Sequence, residues 1–167
     1  MRIFAIDPGN VTSSWVLLDA DTNPPTLLDY SLDEPNAAME RHFTPFVQVG
    51  AVVIEMVRSY GRPVGESIFE TCVWIGRFEQ MLERSGLPRE RLFRPEVVKL
   101  LGLPGSGSGD RQVRARLLEI YGGKATALGT KKAPGPLFGV TEDVWAALAV
   151  GVAYSRKVAR EKARVGT

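Results

Sequence analysis

Arg2-Ile-Phe-Ala-Ile-Asp-Pro-Gly-Asn10 decides how the rest of the chain is read. Arg2 to Ile6 has the pattern of a short strand, and it ends at Asp7-Pro8-Gly9-Asn10, four residues with turn chemistry. Working outward, Thr12 to Leu18 reads as a second strand and Thr26 to Leu32 as a weaker third. The connections Asp7–Val11 and Asp19–Pro25 are short, which suits an antiparallel meander. Ala51-Val52-Val53-Ile54 is a continuous apolar run, read as a strand buried on both faces, and it stops at Glu55.

Helices fill the remainder. Asn36 caps one that runs toward Phe46, with Pro45 forcing an early end. A longer helix spans Val64 to Ser85 and is stopped by Gly86. Its apolar residues (Ile68, Phe69, Val73, Ile75, Phe78 and Leu82 among them) cover most of the circumference, so it must be buried on more than one side. The second side is either the interior of the monomer or a subunit interface, and Cys72 shares that choice. Arg91 to Arg94 reads as a strand, and Pro95 opens a helix to Leu101. The glycine-rich stretch 102–109 is a loop, and Asp110 caps a helix to Tyr121. Lys124 to Gly139 is a second loop, after which Thr141 caps the last helix with Glu142 and Asp143 in its first turn. Strands and helices in this order make a mixed α/β domain.

The chain's 167 residues match one domain, 1–167, and 44% hydrophobic with 24% charged residues excludes a disordered chain. A single cysteine excludes a disulfide-built scaffold and a cysteine zinc cage. The acid at position 7 breaks any signal-peptide core, and no apolar run approaches the ~18 residues of a membrane span. The expectation is a soluble cytoplasmic protein with no membrane partner. Charge divides unevenly along the chain. Residues 1–83 carry 5 Lys and Arg against 12 Asp and Glu, whereas residues 84–167 carry 16 against 7. The basic half either meets a polyanion such as nucleic acid or solvates one face of an interleaved fold.

Four acids are candidates for chemistry. Asp7 and Glu55 each follow an apolar strand, and if those strands are neighbours both carboxylates emerge at one sheet edge, where a hard divalent cation relieves their repulsion. Glu142 and Asp143 are placed to complete such an oxygen-rich site. Plainer readings stand beside these. Asp favours turns, a strand-end Glu can reach solvent, and acids at a helix start offset its dipole. His42, the sole histidine, reads as a surface residue.

Phe4-Ala-Ile-Asp-Pro-Gly9, Val52-Val-Ile-Glu55 and Asp143-Val-Trp-Ala-Ala-Leu-Ala-Val150 resemble, in order, the three acidic motifs of RuvC-type Holliday junction resolvases. Arg94-Pro95 through Lys99, then Asp110-Arg111-Gln112-Val113, resemble that family's intervening basic segment, so the likeness spans nearly the whole chain. It implies a ribonuclease H-like α/β fold, a mixed five-stranded sheet (antiparallel meander plus parallel strands) flanked by helices. It also implies a homodimeric, metal-dependent endonuclease that cuts four-way DNA junctions by paired symmetric nicks, leaving a 5′ phosphate and a 3′ hydroxyl. Asp7 would bridge two Mg²⁺ or Mn²⁺ ions, Glu55 would hold one, and Asp143 matches the third metal position.

Where the family places a further acid, this chain has Ala146, which leaves one ion missing or held by Glu142. Lys99 and Arg111 match basic positions that contact the junction backbone. Arg114, the loop pair Lys131 and Lys132, and Arg58 with Tyr60 after Glu55 extend the DNA-contacting set, Tyr60 lying two positions from the family's junction-probing aromatic. Two other activities compete: a ribonuclease H-like nuclease on flap DNA or structured RNA, and, given Ala146, a protein that holds junctions without cutting them. An actin-like ATPase shares the Asp-x-Gly opening but needs two such domains.

Overall fold

The computed structural model describes residues 1–43, 49–59, 61, 63–104 and 108–165. Its centre is one five-stranded sheet in the order β3-β2-β1-β4-β5. Strands β1 (Arg2–Pro8), β2 (Thr12–Asp19) and β3 (Thr26–Pro35) form the antiparallel meander. Strands β4 (Ala51–Met56) and β5 (Arg89–Phe93) add to the other edge of β1 in parallel. This is the mixed sheet implied by the motifs.

Side chains alternate across a strand, and here the alternation divides the core in two. Ile3, Ala5 and Val53 face one cluster, while Phe4, Ile6, Val52 and Ile54 face the other. The first face is covered by α5 (Val144–Val165), α2 (Arg94–Leu100) and α3 (Asp110–Ile120). The second is covered by α1 (Glu66–Arg84) and a 3₁₀ helix, Asn36–Phe43. Helix α5 lies tight on the sheet because Gly151 has no side chain: a Cβ there would come within 2.6 Å of Leu18 and 3.1 Å of Ala5.

Several boundaries differ from expectation, each for a local reason. Strand β1 runs on through Asp7 and Pro8, since β2 continues opposite them and pairs Asp7 with Ser14. Strand β4 likewise carries Glu55 and Met56, paired to Leu92 and Phe93 of β5. Asn36 does not cap a helix. Its side chain donates to Gly9 O (3.0 Å) and accepts from Ser13 Oγ (2.6 Å), tying down the turn after Asp7. The helical segment after it is 3₁₀ and described to Phe43; residues 44–48, Phe46 included, lie outside the described residues. Gly109, not Asp110, is the N-cap of α3. The loop from Lys124 contains a short helix, α4 (Lys124–Leu128), hidden from the sequence by its flanking glycines.

Two further expectations change. Helix α1 buries one face only, through Thr71, Ile75, Phe78 and Leu82; Phe69 is 61% exposed and Val73 47%. His42 is not a surface residue. It is packed against the Phe4 and Trp15 rings at centroid distances of 5.3 and 4.6 Å. Its Nε2 lies 3.0 Å from Glu34 Oε1, and Glu34, 4% exposed, also accepts from Trp15 Nε1 (2.6 Å) and pairs with Arg41 at 3.0 Å. These partners offset the cost of taking a carboxylate out of water.

Candidate active site

Register and parity bring the first two acids together. Ile6 lies beside Ile54 in the parallel pair, so Asp7 lies beside Glu55 one step further. Both continue the odd-numbered series (Ile3, Ala5 and Val53) that faces α5, so both carboxylates are on the face from which α5 starts. They line a cleft of about 520 Å³, which Asp143, Glu142 and Ala146 line from the α5 side. The three motifs distant in sequence therefore converge on one cavity.

Helix α5 begins two residues later than expected, at Val144. Glu142 has φ +43°, in the left-handed region, so it cannot belong to a right-handed helical turn. Asp143 is the last residue before the helix, its carbonyl accepting from the Ala147 N–H at 3.2 Å. The Thr141 carbonyl accepts from Val144 N–H in a turn, so Thr141 is not the cap. The acids sit at the mouth of the helix, and not within its first turn.

The electrostatics of the cleft are those of crowded, half-buried acids. Asp7 is pushed up to about 8, first by burial, then by the charges of Glu55 and Asp143, with Arg94 acting the other way and Asp110 adding to the rise. Glu55 is also raised, again first by burial; Arg94 opposes this and Asp110 reinforces it. Carboxylate oxygens crowded in this way are chemically suited to a hard divalent cation, which would relieve the repulsion that raises Asp7. Among the described residues, no three His, Cys, Asp or Glu side chains are already assembled closely enough to hold an ion. The donor chemistry fits, and loading would require the carboxylates to turn toward one another.

Arg94, Asp110 and Trp145 line the cleft as well, and reading the sequence for acids at strand ends missed all three as site residues. Arg94 Nη1 lies 3.7 Å from Glu55 Oε1, while Nη2 donates to Asp110 Oδ1. The available signal was the position of Arg94 directly after β5, the strand beside Glu55. Trp145 carries the Arg114 guanidinium 4.8 Å from its ring centroid, a cation–π contact that sets the direction of Arg114.

The expected DNA-contacting residues lie outside the cleft lining. Lys99 is exposed on the last turn of α2, and Arg111 is exposed on the first turn of α3. Lys131 and Lys132 are exposed in a tight loop closed by the Gly129–Pro134 bridge. Arg58 is exposed just beyond β4, 6.0 Å from the Phe93 ring, and Tyr60 lies outside the described residues. Part of the basic half is structural. Arg156 donates to Leu101 O at 3.1 Å and Arg116 to the same carbonyl at 2.9 Å, closing the end of α2, and Lys157 pairs with Glu90.

Comparison with known proteins gives the fold its relatives. No protein-family model matches the sequence, and no curated protein matches it. Solved structures do. Thermus thermophilus RuvC has a TM-score of 0.70 at 18% identity, covering 96% of this chain and 97% of that one. T. thermophilus RuvC in complex with Holliday junction substrate has a TM-score of 0.67 at 16% identity, covering 96% of each chain. This chain has the RuvC fold. At these identities the likeness is one of architecture, and it extends over nearly the whole of both chains. Among the described residues no helix is long and apolar enough to cross a membrane.

Proposed function

We propose that this chain is a metal-dependent, structure-specific endonuclease of the RuvC kind, a single domain that cuts four-way DNA junctions by paired nicks. The observation that carries this reading is the convergence of Asp7, Glu55 and Asp143 on one cleft of a RuvC fold. Asp7 and Glu55 hold a cation from the sheet and Asp143 from the mouth of α5, with Glu142 at the rim; Mg²⁺ or Mn²⁺ bound there supplies Lewis-acid stabilisation of the phosphate and an activated water. The chain's own part is to present oxygens on a rigid sheet and to keep Asp7 out of bulk water.

The DNA partner is supported by exposed cations around the cleft. Lys99, Arg111, Arg114 and Arg58 lie on elements that border it, and Lys131 with Lys132 in a loop further along the chain. Tyr60 belongs to the same proposal. Such contacts to phosphate fix position without reading bases, which suits recognition by shape. A protein confined to the cytoplasm, where DNA junctions arise, fits this activity.

A four-armed substrate with two-fold symmetry calls for two active sites, which a C₂ dimer supplies. Phe69 and Val73, one turn apart and exposed on α1, with half-buried Ile68 and Cys72 beside them, are the face we assign to that dimer. Phe69→Glu would place a charge in both copies of the interface and weaken association at least a hundredfold, read by analytical ultracentrifugation.

Cleavage of a labelled four-way junction beside a linear duplex of the same sequence, in Mg²⁺ and in Mn²⁺, tests the function. Paired nicks in the junction alone, with 5′ phosphate and 3′ hydroxyl ends, are expected. Equal cleavage of linear, flap or RNA substrates would move the chain to another ribonuclease H-like nuclease. Ala146 favours one further reading, a protein that holds junctions uncut, and tight binding with no cleavage in either ion would establish it.

A further inference from the structure

Position 146 lines the cleft three residues after Asp143, and as alanine it brings no oxygen. On the facing helix, Asp110 opens α3 and lines the same cleft, its side chain 96% exposed. A single guanidinium already bridges it to the sheet, Arg94 lying 3.7 Å from Glu55 through Nη1 and bonding Asp110 through Nη2. One positive group thus spans Glu55 and Asp110, the arrangement a small cation would also satisfy. A second sign comes from the α5 wall. Trp145, the neighbour of Ala146, is 6% exposed, and among the described residues its Nε1 is a buried donor with no hydrogen-bond partner. Buried donors are normally satisfied, and this one calls for an oxygen acceptor at the cleft wall that Trp145 lines.

We propose that Asp110 takes the part of the carboxylate that position 146 lacks, so that the cation site draws its fourth acid from α3 and not from α5. Hard divalent cations accept six or more oxygens, so Asp7, Glu55 and Asp143 leave room for it. The inference rests on the metal-dependent reading above. It also explains how a chain with alanine at 146 keeps a full set of acids.

Mn²⁺ binding to the full chain without DNA, followed by titration calorimetry and Mn²⁺ paramagnetic resonance, tests it. Asp110→Asn is expected to weaken Mn²⁺ at least tenfold, or to lose one bound ion, while Asp110→Glu keeps binding within threefold. Asp110→Asn combined with Ala146→Asp is expected to regain what Asp110→Asn loses. Thermal unfolding of each variant shows that the fold persists. Wild-type affinity in Asp110→Asn would overturn the inference and leave Asp110 as an acid at a helix start. If the wild-type chain takes up no Mn²⁺, the metal-dependent reading itself falls, and the inference with it.

Discussion

The two walls of the cleft are built on different rules. On the sheet side, Asp7 and Glu55 are set by backbone register, and both are held where water is scarce. On the helical side, Arg94 and Asp110 are side chains at helix starts, and their positions depend on how α2 and α3 pack. Strand pairing fixes a side chain to within a pleat, whereas a helix start can slide by one or two residues, as those of α3 and α5 do here. The sheet wall is therefore the fixed and desolvated one, and the helical wall the adaptable one.

That contrast breaks if Asp7 behaves as an ordinary surface acid. A carboxyl raised in the folded state from 3.8 to about 8 binds a proton that the unfolded chain has already lost. Its contribution to stability is fully present below about pH 4 and is lost as pH rises to about 8. Asp7→Asn removes that loss. In EDTA the variant should match the wild type near pH 4 and exceed it by roughly 2–4 kcal/mol at pH 9, measured by urea unfolding. A constant difference across this range would put Asp7 in solvent.

The support beneath the sheet wall gives the next largest effect. Asn36 is 1% exposed and satisfies both Gly9 O and Ser13 Oγ. Asn36→Ala leaves the buried Ser13 hydroxyl without its acceptor and the half-buried Gly9 carbonyl without its donor, and should cost about 1–3 kcal/mol. Backbone hydrogen exchange should rise at Gly9, whose N–H donates to Ser13 Oγ at 3.3 Å, and at position 36, whose own N–H donates to the Val11 carbonyl at 3.0 Å. The smallest effect belongs to the helical wall. Asp110→Ala removes an exposed acid whose ion pair is screened, so stability should move by less than about 1 kcal/mol. A loss as large as that of Asn36→Ala would erase the distinction between the walls.

The same contrast explains what could be read from the sequence. The sheet was legible because short turns and apolar runs leave few pairings: Ala51–Ile54 read as a strand buried on both faces, and the pairing of Ile54 with Ile6 in the fold supplies the condition on which Glu55 joins Asp7. Asp143 was legible as a helix-start acid, though Glu142 at φ +43° moved that start by two residues. Arg94 and Asp110 were not, since their meeting spans 16 residues and depends on the packing of two helices. His42 was misjudged because its partners, Glu34 and Trp15, come from two other strands, and polar groups satisfied only in three dimensions leave no periodic trace. Helix α1 was apolar all round in sequence, but the monomer buries one face of it and leaves Phe69 and Val73 exposed on the other.

The most direct test of the account compares junction cleavage by the wild-type chain and Asp7→Asn in Mn²⁺, with junction binding measured in parallel. The account predicts paired nicks by the wild type. It predicts equal junction binding by Asp7→Asn, with cleavage slower by roughly 10³-fold, the rate equivalent of several kcal/mol of lost charge stabilisation. Cleavage by Asp7→Asn at close to the wild-type rate would contradict it, because the sheet carboxylates would then not be where the reaction happens.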